Sequence, residues 1–219
     1  DREKTAAGYR AYQEKSPVDF RTMDPKAIVA KIQECGVVGM GGATFPANVK
    51  LSPPPDKKID TILINGAECE PYLTADHQVM LEQTEELLTG VQIMQRALGV
   101  ETVWIGIETN KPDAVARLEK MIREGHYPGI RVASLKTKYP QGGEKQLIAA
   151  VTGREVPSGK LPFEVGCLVQ NAGTAVAMYE AVCLDKPLID RVITSPEDEP
   201  VRAEVREQVK DLCARFPLG

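Results

Sequence analysis

At 219 residues, with 42% hydrophobic residues and a formal net charge of −4, the chain is long enough for one large α/β domain, and its charge gives no sign of a nucleic-acid polyanion as partner. No apolar run approaches the ~18 residues of a membrane span, and the charged start DREKTAAGYR is not a secretory signal peptide. Five cysteines, no two closer than sixteen residues, supply neither a disulfide framework nor a CxxC or zinc-knuckle spacing, so a reducing cytoplasmic setting fits them.

Residues 1–23 mix acids and bases with few periodic apolar positions, and are expected to form an N-terminal arm or the end of a preceding domain. Asp24-Pro25 is a helix start, with an N-cap carboxylate and proline at the first helical position. Ile28, Ile32 and Cys35 share a face, and Gly36 ends the helix. The stretch GVVGMGGATFPANVK follows, with Gly36, Gly39, Gly41 and Gly42 inside seven residues and Lys50 at its end. Glycines at that density let a backbone approach a ligand closely and present N–H groups to an anion. Such a turn can equally serve only to join two elements. No GK[ST] ends it, and it follows a helix instead of a strand, so it is neither a Walker loop nor the usual dinucleotide fingerprint.

Beyond the stiff connection SPPPD, the run Thr61–Ile64 is predicted to be a buried parallel strand. It opens into NGAECEPYLTADH, where Glu68 and Glu70 stand two apart, either as part of a site or as a solvated acidic turn. Thr74 or Asp76 is expected to cap a short helix. A longer one over Glu85–Leu98 carries the apolar stripe Leu87, Leu88, Val91, Met94 and Leu98. TVWIGIE (Thr102–Glu108) is the second strand, Asn110 the predicted cap of the next helix, and Arg131–Lys136 the third strand. TKYPQGGEKQ then precedes a helix over about Glu144–Val151, with Gly142 and Gly143 at its N-terminus, where backbone N–H groups can face a ligand. GREVPSGKLPFEVG is long and turn-rich, a candidate surface flap. Cys167–Gln170 is the fourth strand, and Asn171-Ala-Gly-Thr174 leads into an apolar helix. Leu188–Thr194 is a fifth strand, and a charged helix over 201–216 closes the chain.

Strand and helix alternate, which predicts an α/β, Rossmann-like fold with a mostly parallel sheet, flanking helices and a Gly-rich loop. Three polar loops (65–72, 138–145 and 170–174) all follow strands and so converge on one edge, the edge where open α/β sheets bind ligands.

GVVGMGGATFPANVKL, INGAECEPYLTADH, IGIETNKPDA, TKYPQGGEKQLI, TGREVPSGKLP and VQNAGTAVAMYEAV, in this order, resemble the C subunit of Rnf-type ion-translocating electron transport complexes. More distantly they are similar to the flavin subunit of respiratory complex I and to a flavin-dependent cobalamin reductase. The resemblance implies a flavoprotein domain over 24–194 that binds FMN as cofactor and NAD(H) as substrate, followed by a charged C-terminal helix (195–219) without a match. It implies an NADH-linked oxidoreductase or translocase subunit that passes electrons between NADH, FMN and iron–sulfur (4Fe-4S) clusters. For FMN it points to Gly39, Gly41, Gly42, Lys50, Asn65, Glu68, Tyr139, Gly142, Asn171 and Thr174, and for NADH to Phe45, Glu70 and Glu144. No catalytic side chain and no metal ligand is implied, because the flavin carries the chemistry.

Compared with complex I, Met40 replaces a loop arginine, Ala67 an aspartate and Gly143 a glutamate, and Thr44 stands where glycine or alanine is usual. The cluster-ligating CxxCxxCxxxCP runs of the Rnf protein are absent. The chain, which starts on Asp1, is therefore expected to be a fragment of a longer protein whose clusters lie elsewhere. The partners implied are the other subunits of a membrane electron transport complex, with no nucleic acid and no membrane span, and the location is peripheral, on the cytoplasmic face. The alternatives are the cobalamin reductase and a non-catalytic scaffold of the same fold.

Overall fold

In the computed structural model, residues 17–188 are described. Four strands, β1 (Thr61–Asn65), β2 (Thr102–Glu108), β3 (Ile130–Leu135) and β4 (Cys167–Asn171), form one sheet in the order β3-β2-β1-β4, and every pairing is parallel. The helices are α1 (Pro25–Glu34), the single turn α2 (Ala47–Lys50), α3 (Ala75–Glu82), α4 (Thr84–Leu98), α5 (Pro112–Glu124), α6 (Glu144–Thr152) and α7 (Ala172–Leu184).

Strands covered on both faces need apolar side chains in both directions, which is why TILI runs without alternation. Ile62 and Ile64 point into the larger core with Ile105, Ile107 and Leu168, under α1, α4, α5 and α7. Leu63 points the other way, with Cys167 and Val169, beneath Leu147 and Ile148 of α6. Helix α7 lies deep in the larger core and is apolar nearly all round, with Ala172, Ala175, Met178 and Ala181 fully buried.

From β1 the chain moves outward through β2 to β3, then returns to the far side of β1 as β4. The order therefore reverses beside β1, and there Asn65 and Asn171 are register partners at the carboxyl ends of adjacent strands. In open α/β sheets the crevice outside such a point is where ligands sit.

Several boundaries differ from expectation. The helix after β2 is capped at Lys111, not Asn110, because Pro112 takes the first helical position, where no N–H is needed. The glycine stretch ends in α2 instead of an open loop: Ala47 is fully buried and anchors a turn of helix that the composition conceals. Thr74 is the N-cap of α3 but makes no side-chain cap bond. The Glu68 carboxylate, from the loop before it, accepts the Asp76 and His77 N–H groups instead. The turn-rich segment after α6 is pinned at both ends by Arg154, which bonds Asp60 Oδ1 at 2.7 Å and the Val165 carbonyl at 2.8 Å. Phe20 is buried in the main core, and the Val18 N–H donates to the Cys183 carbonyl. Of the expected fifth strand only Leu188 is described. The rest of that strand, the 201–216 helix and residues 1–16 lie outside the described residues.

Candidate functional site

The glycine stretch is a closed loop with an open tip. Val38 bridges Pro46, and the Gly39 N–H donates to the Phe45 carbonyl at 2.9 Å, so residues 39–45 are cinched at their base. The tip rests on the start of α7, where the Met40 N–H donates to Thr174 Oγ1 at 2.9 Å. A Cβ at Gly41 would stand 3.2 Å from the Asn171 Cβ, so the glycine lets the loop rest closely on that side chain. Gly42, at φ +142°, faces open space, with nothing within 4 Å of where a Cβ would project.

Thr44 is held at φ +49°, a left-handed conformation that a β-branched residue adopts only under strain. Thr44→Gly should therefore raise stability by about 0.5–1 kcal/mol, the relief of the left-handed strain less the chain entropy of glycine. Urea unfolding of the two proteins checks this, and an unchanged or lowered midpoint would place the strain elsewhere.

The loop after β1 is fastened to the loop before α6. Asn65 Nδ2 donates to the Gly142 carbonyl at 2.8 Å, and Asn65 Oδ1 accepts the Ala67 N–H at 3.1 Å. Lys50 ties the glycine stretch to the same place: its Nζ lies 3.0 Å from Glu144 Oε1 and 3.0 Å from the Val169 carbonyl of β4. Two of the three ammonium N–H groups are thus used, leaving one for a ligand.

Asn171 caps α7, its Oδ1 accepting the Thr174 N–H at 3.1 Å, while its Nδ2 donates to Asp76 Oδ2 at 2.6 Å. Lys50 with Glu144, Asn65 with Gly142, Gly41 with Asn171, and Glu68 with the start of α3 are therefore all brought into contact. Phe45, Glu70 and Tyr139 are not part of this mesh. Phe45 is 47% and Tyr139 75% exposed, and among the described residues the Glu70 carboxylate is contacted by the neighbouring Cys69 Sγ at 3.9 Å. His77 pairs with Asp113 at 2.9 Å, and its backbone N–H caps onto Glu68.

In the sequence Asp76 stands out only as a candidate helix cap, and neither Glu108 nor Lys111 is marked as a site residue. Glu108 ends β2 fully buried, its Oε1 accepting the Lys138 N–H at 3.2 Å and its Oε2 3.7 Å from Lys111 Nζ. An acid terminating an otherwise apolar strand was the available signal. Glu108 and Lys111, with Glu68, Tyr72 and Tyr139, line a cavity of about 380 Å³ beside the loop cluster, within the size range of small-molecule sites.

The mesh of loops brings backbone N–H groups, side-chain amides and the Lys50 ammonium together at a sheet edge, alongside the carboxylates of Glu68, Asp76 and Glu144. Comparison with known proteins gives that arrangement a context. The sequence pattern of the Nuo51 FMN-binding domain matches residues 32–180. The chain is 53% identical over 176 residues to the C subunit of the proton-translocating ferredoxin:NAD(+) oxidoreductase complex of Clostridium ljungdahlii, covering 80% of this chain and 38% of that protein. It is 48% identical over 202 residues to the Na(+)-translocating counterpart of Acetobacterium woodii, covering 89% of this chain and 45% of that one. It thus spans less than half the length of these curated relatives. In structure it is similar to a chain of an air-oxidized NAD+-reducing [NiFe]-hydrogenase, with a TM-score of 0.62 at 23% identity over 74% of this chain and 31% of that one, a likeness of fold.

Proposed function

The chain belongs to the Nuo51 FMN-binding domain family, and from that premise we propose that it holds FMN at the carboxyl edge of its sheet and serves as the NADH-linked electron-input subunit of an ion-translocating complex. In this reading residues 24–194 are the flavin and nucleotide domain, and the iron–sulfur clusters that exchange electrons with it lie outside this chain. The location is peripheral, on the cytoplasmic face of the membrane, through partner subunits. Among the described residues no helix is long and apolar enough to cross a membrane. The names of the relatives, which are complex subunits acting on ferredoxin and NAD(+), favour this reading over a cobalamin reductase.

The observation that carries the proposal is the convergence of four loops on the Asn65–Asn171 strand ends. The residues fit a flavin: Gly42 leaves open the space that any side chain would fill, and Lys50, with two partners in the chain, keeps one ammonium N–H for a ligand. FMN, when bound, supplies the exchange between a hydride pair and single electrons. The chain has to hold and orient it. Gly39, Gly41 and Gly42 bring backbone against the ring, and Lys50 meets negative charge with a charge-assisted bond. Asn65, Glu68, Gly142, Asn171 and Thr174 fix the loops in register, and Tyr139 borders the opening. Phe45, Glu70 and Glu144 face the nucleotide, and the exposure of Phe45 and Glu70 leaves them available to it.

Anaerobic addition of NADH to the FMN-loaded chain should bleach the visible flavin band, and no bleaching at saturating NADH with FMN demonstrably bound would overturn the NADH assignment. Phe45→Ala should raise the NADH needed for half-bleaching about fivefold, the ~1 kcal/mol of a partly exposed aromatic contact. FMN affinity should change less, because the glycine backbone is retained.

A further inference from the structure

The polar mesh of the loop cluster ends on one carboxylate. Asp76 Oδ2 accepts Asn171 Nδ2 at 2.6 Å, and Asp76 Oδ1 accepts the Gly173 N–H at 3.3 Å. The other end of the Asn171 amide accepts the Thr174 N–H at 3.1 Å and lies 3.4 Å from Thr174 Oγ1. That hydroxyl in turn accepts the Met40 N–H of the glycine loop. A chain of hydrogen bonds therefore runs from the loop tip through Thr174 and Asn171 to Asp76, and the charge at its end sets the direction of every donor along it. With Nδ2 held by an acceptor, Asn171 cannot flip, and the surface on which Gly41 rests is fixed.

We propose that Asp76 is a positioning residue of the cofactor site, whose ionised carboxylate sets the Asn171 amide and the seat of the glycine loop and so makes FMN affinity depend on pH. The proposal rests on the reading that FMN occupies this cleft. Besides Asn171 and Gly173, the charged groups acting on Asp76 are Glu68 and Lys111. Burial, reinforced by the Glu68 carboxylate, pushes Asp76 above the ordinary carboxylate range, against the opposing bonds from Asn171 and Gly173 and the charge of Lys111. On acidification it is therefore protonated earlier than an exposed acid, and one of its two accepting oxygens becomes a donor facing a donor.

The sign differs from that of a merely structural acid. A carboxyl whose folded pKa is raised binds its proton more tightly in the folded state, so its charge costs stability at neutral pH and that cost fades as pH falls. Acid should thus weaken FMN binding without Asp76 contributing any loss of folding stability.

The test is the FMN dissociation constant of the native chain and of Asp76→Asn, read by flavin fluorescence from about pH 8 down to the lowest pH at which both proteins stay folded. At the upper pH Asp76→Asn should bind about tenfold more weakly, because an amide nitrogen would face either Asn171 Nδ2 or the Gly173 N–H. The ratio of the two constants should close toward one on acidification, and taking the ratio cancels the titration of the FMN phosphate itself. A ratio that stays at one, or a gap independent of pH, would overturn the proposal. If neither protein takes up FMN at any pH, the cofactor reading fails, and the positioning claim is then decided on the native chain by NMR, as it is if Asp76→Asn does not fold. The Asn171 side-chain amide protons should shift as Asp76 titrates, and a flat titration would overturn the claim.

Discussion

Gly142→Ala should weaken FMN binding roughly thirty- to a hundred-and-fifty-fold, from the ~2–3 kcal/mol that forcing a methyl group into a filled space costs. A Cβ at position 142 would stand 2.6 Å from the Ala67 carbonyl oxygen, a backbone atom that no rotamer change can move. The same residue offers the carbonyl that Asn65 Nδ2 holds at 2.8 Å. Separating the 65–70 and 138–143 loops would therefore release Asn65 and shift the start of α6, which carries Glu144. The β1–β2–β4 ladders lie below this contact and should survive, so circular dichroism should change little while flavin affinity collapses. Retention of native affinity by Gly142→Ala would mean that these two loops do not border the ligand.

Lys50→Met should reduce FMN affinity by about 1.5–3 kcal/mol, the range for a lost charge-assisted hydrogen bond, while keeping most of the aliphatic stem. Folding stability should fall by less. The Lys50 and Glu144 side chains are 32% and 39% exposed, and so open a pair contributes ~0–1 kcal/mol at most. The Val169 carbonyl also loses its donor, but it belongs to a strand at the edge of the described sheet, where water can replace Nζ. Isothermal titration with FMN, paired with thermal unfolding, separates the two effects. A drop in stability with FMN affinity unchanged would make Lys50 a clip between α2 and β4 and remove it from the site.

What was legible in the sequence follows from how locally each feature is encoded. β1 shows as TILI because both faces are buried, and the stripe of α4 shows because only one side meets the core. The site is different. Lys50 meets Glu144 across 94 positions and Asp76 meets Asn171 across 95, so periodicity carries no trace of either contact. Asp76 near the start of a helix looks like an ordinary cap, and only the fold turns its carboxylate toward α7 instead. Helix α2 was hidden for a similar reason. Glycines and Pro46 mask it, and the burial of Ala47 that makes it helical is a tertiary effect. For Phe45, Glu70 and Tyr139 the situation is reversed. Their roles came from family resemblance, although Glu70 also stands out in the acidic loop after β1, and because they stand exposed, the contacts within the chain do not link them to the rest.

The central claim is that the Asn65–Asn171 edge, closed over by the glycine loop, is a flavin site, and equilibrium dialysis of the folded chain against FMN tests it most directly. One equivalent of FMN taken up by the native chain, and bound more weakly after Lys50→Met, is the result expected. No uptake by protein whose circular dichroism and thermal unfolding show it to be folded would contradict the claim.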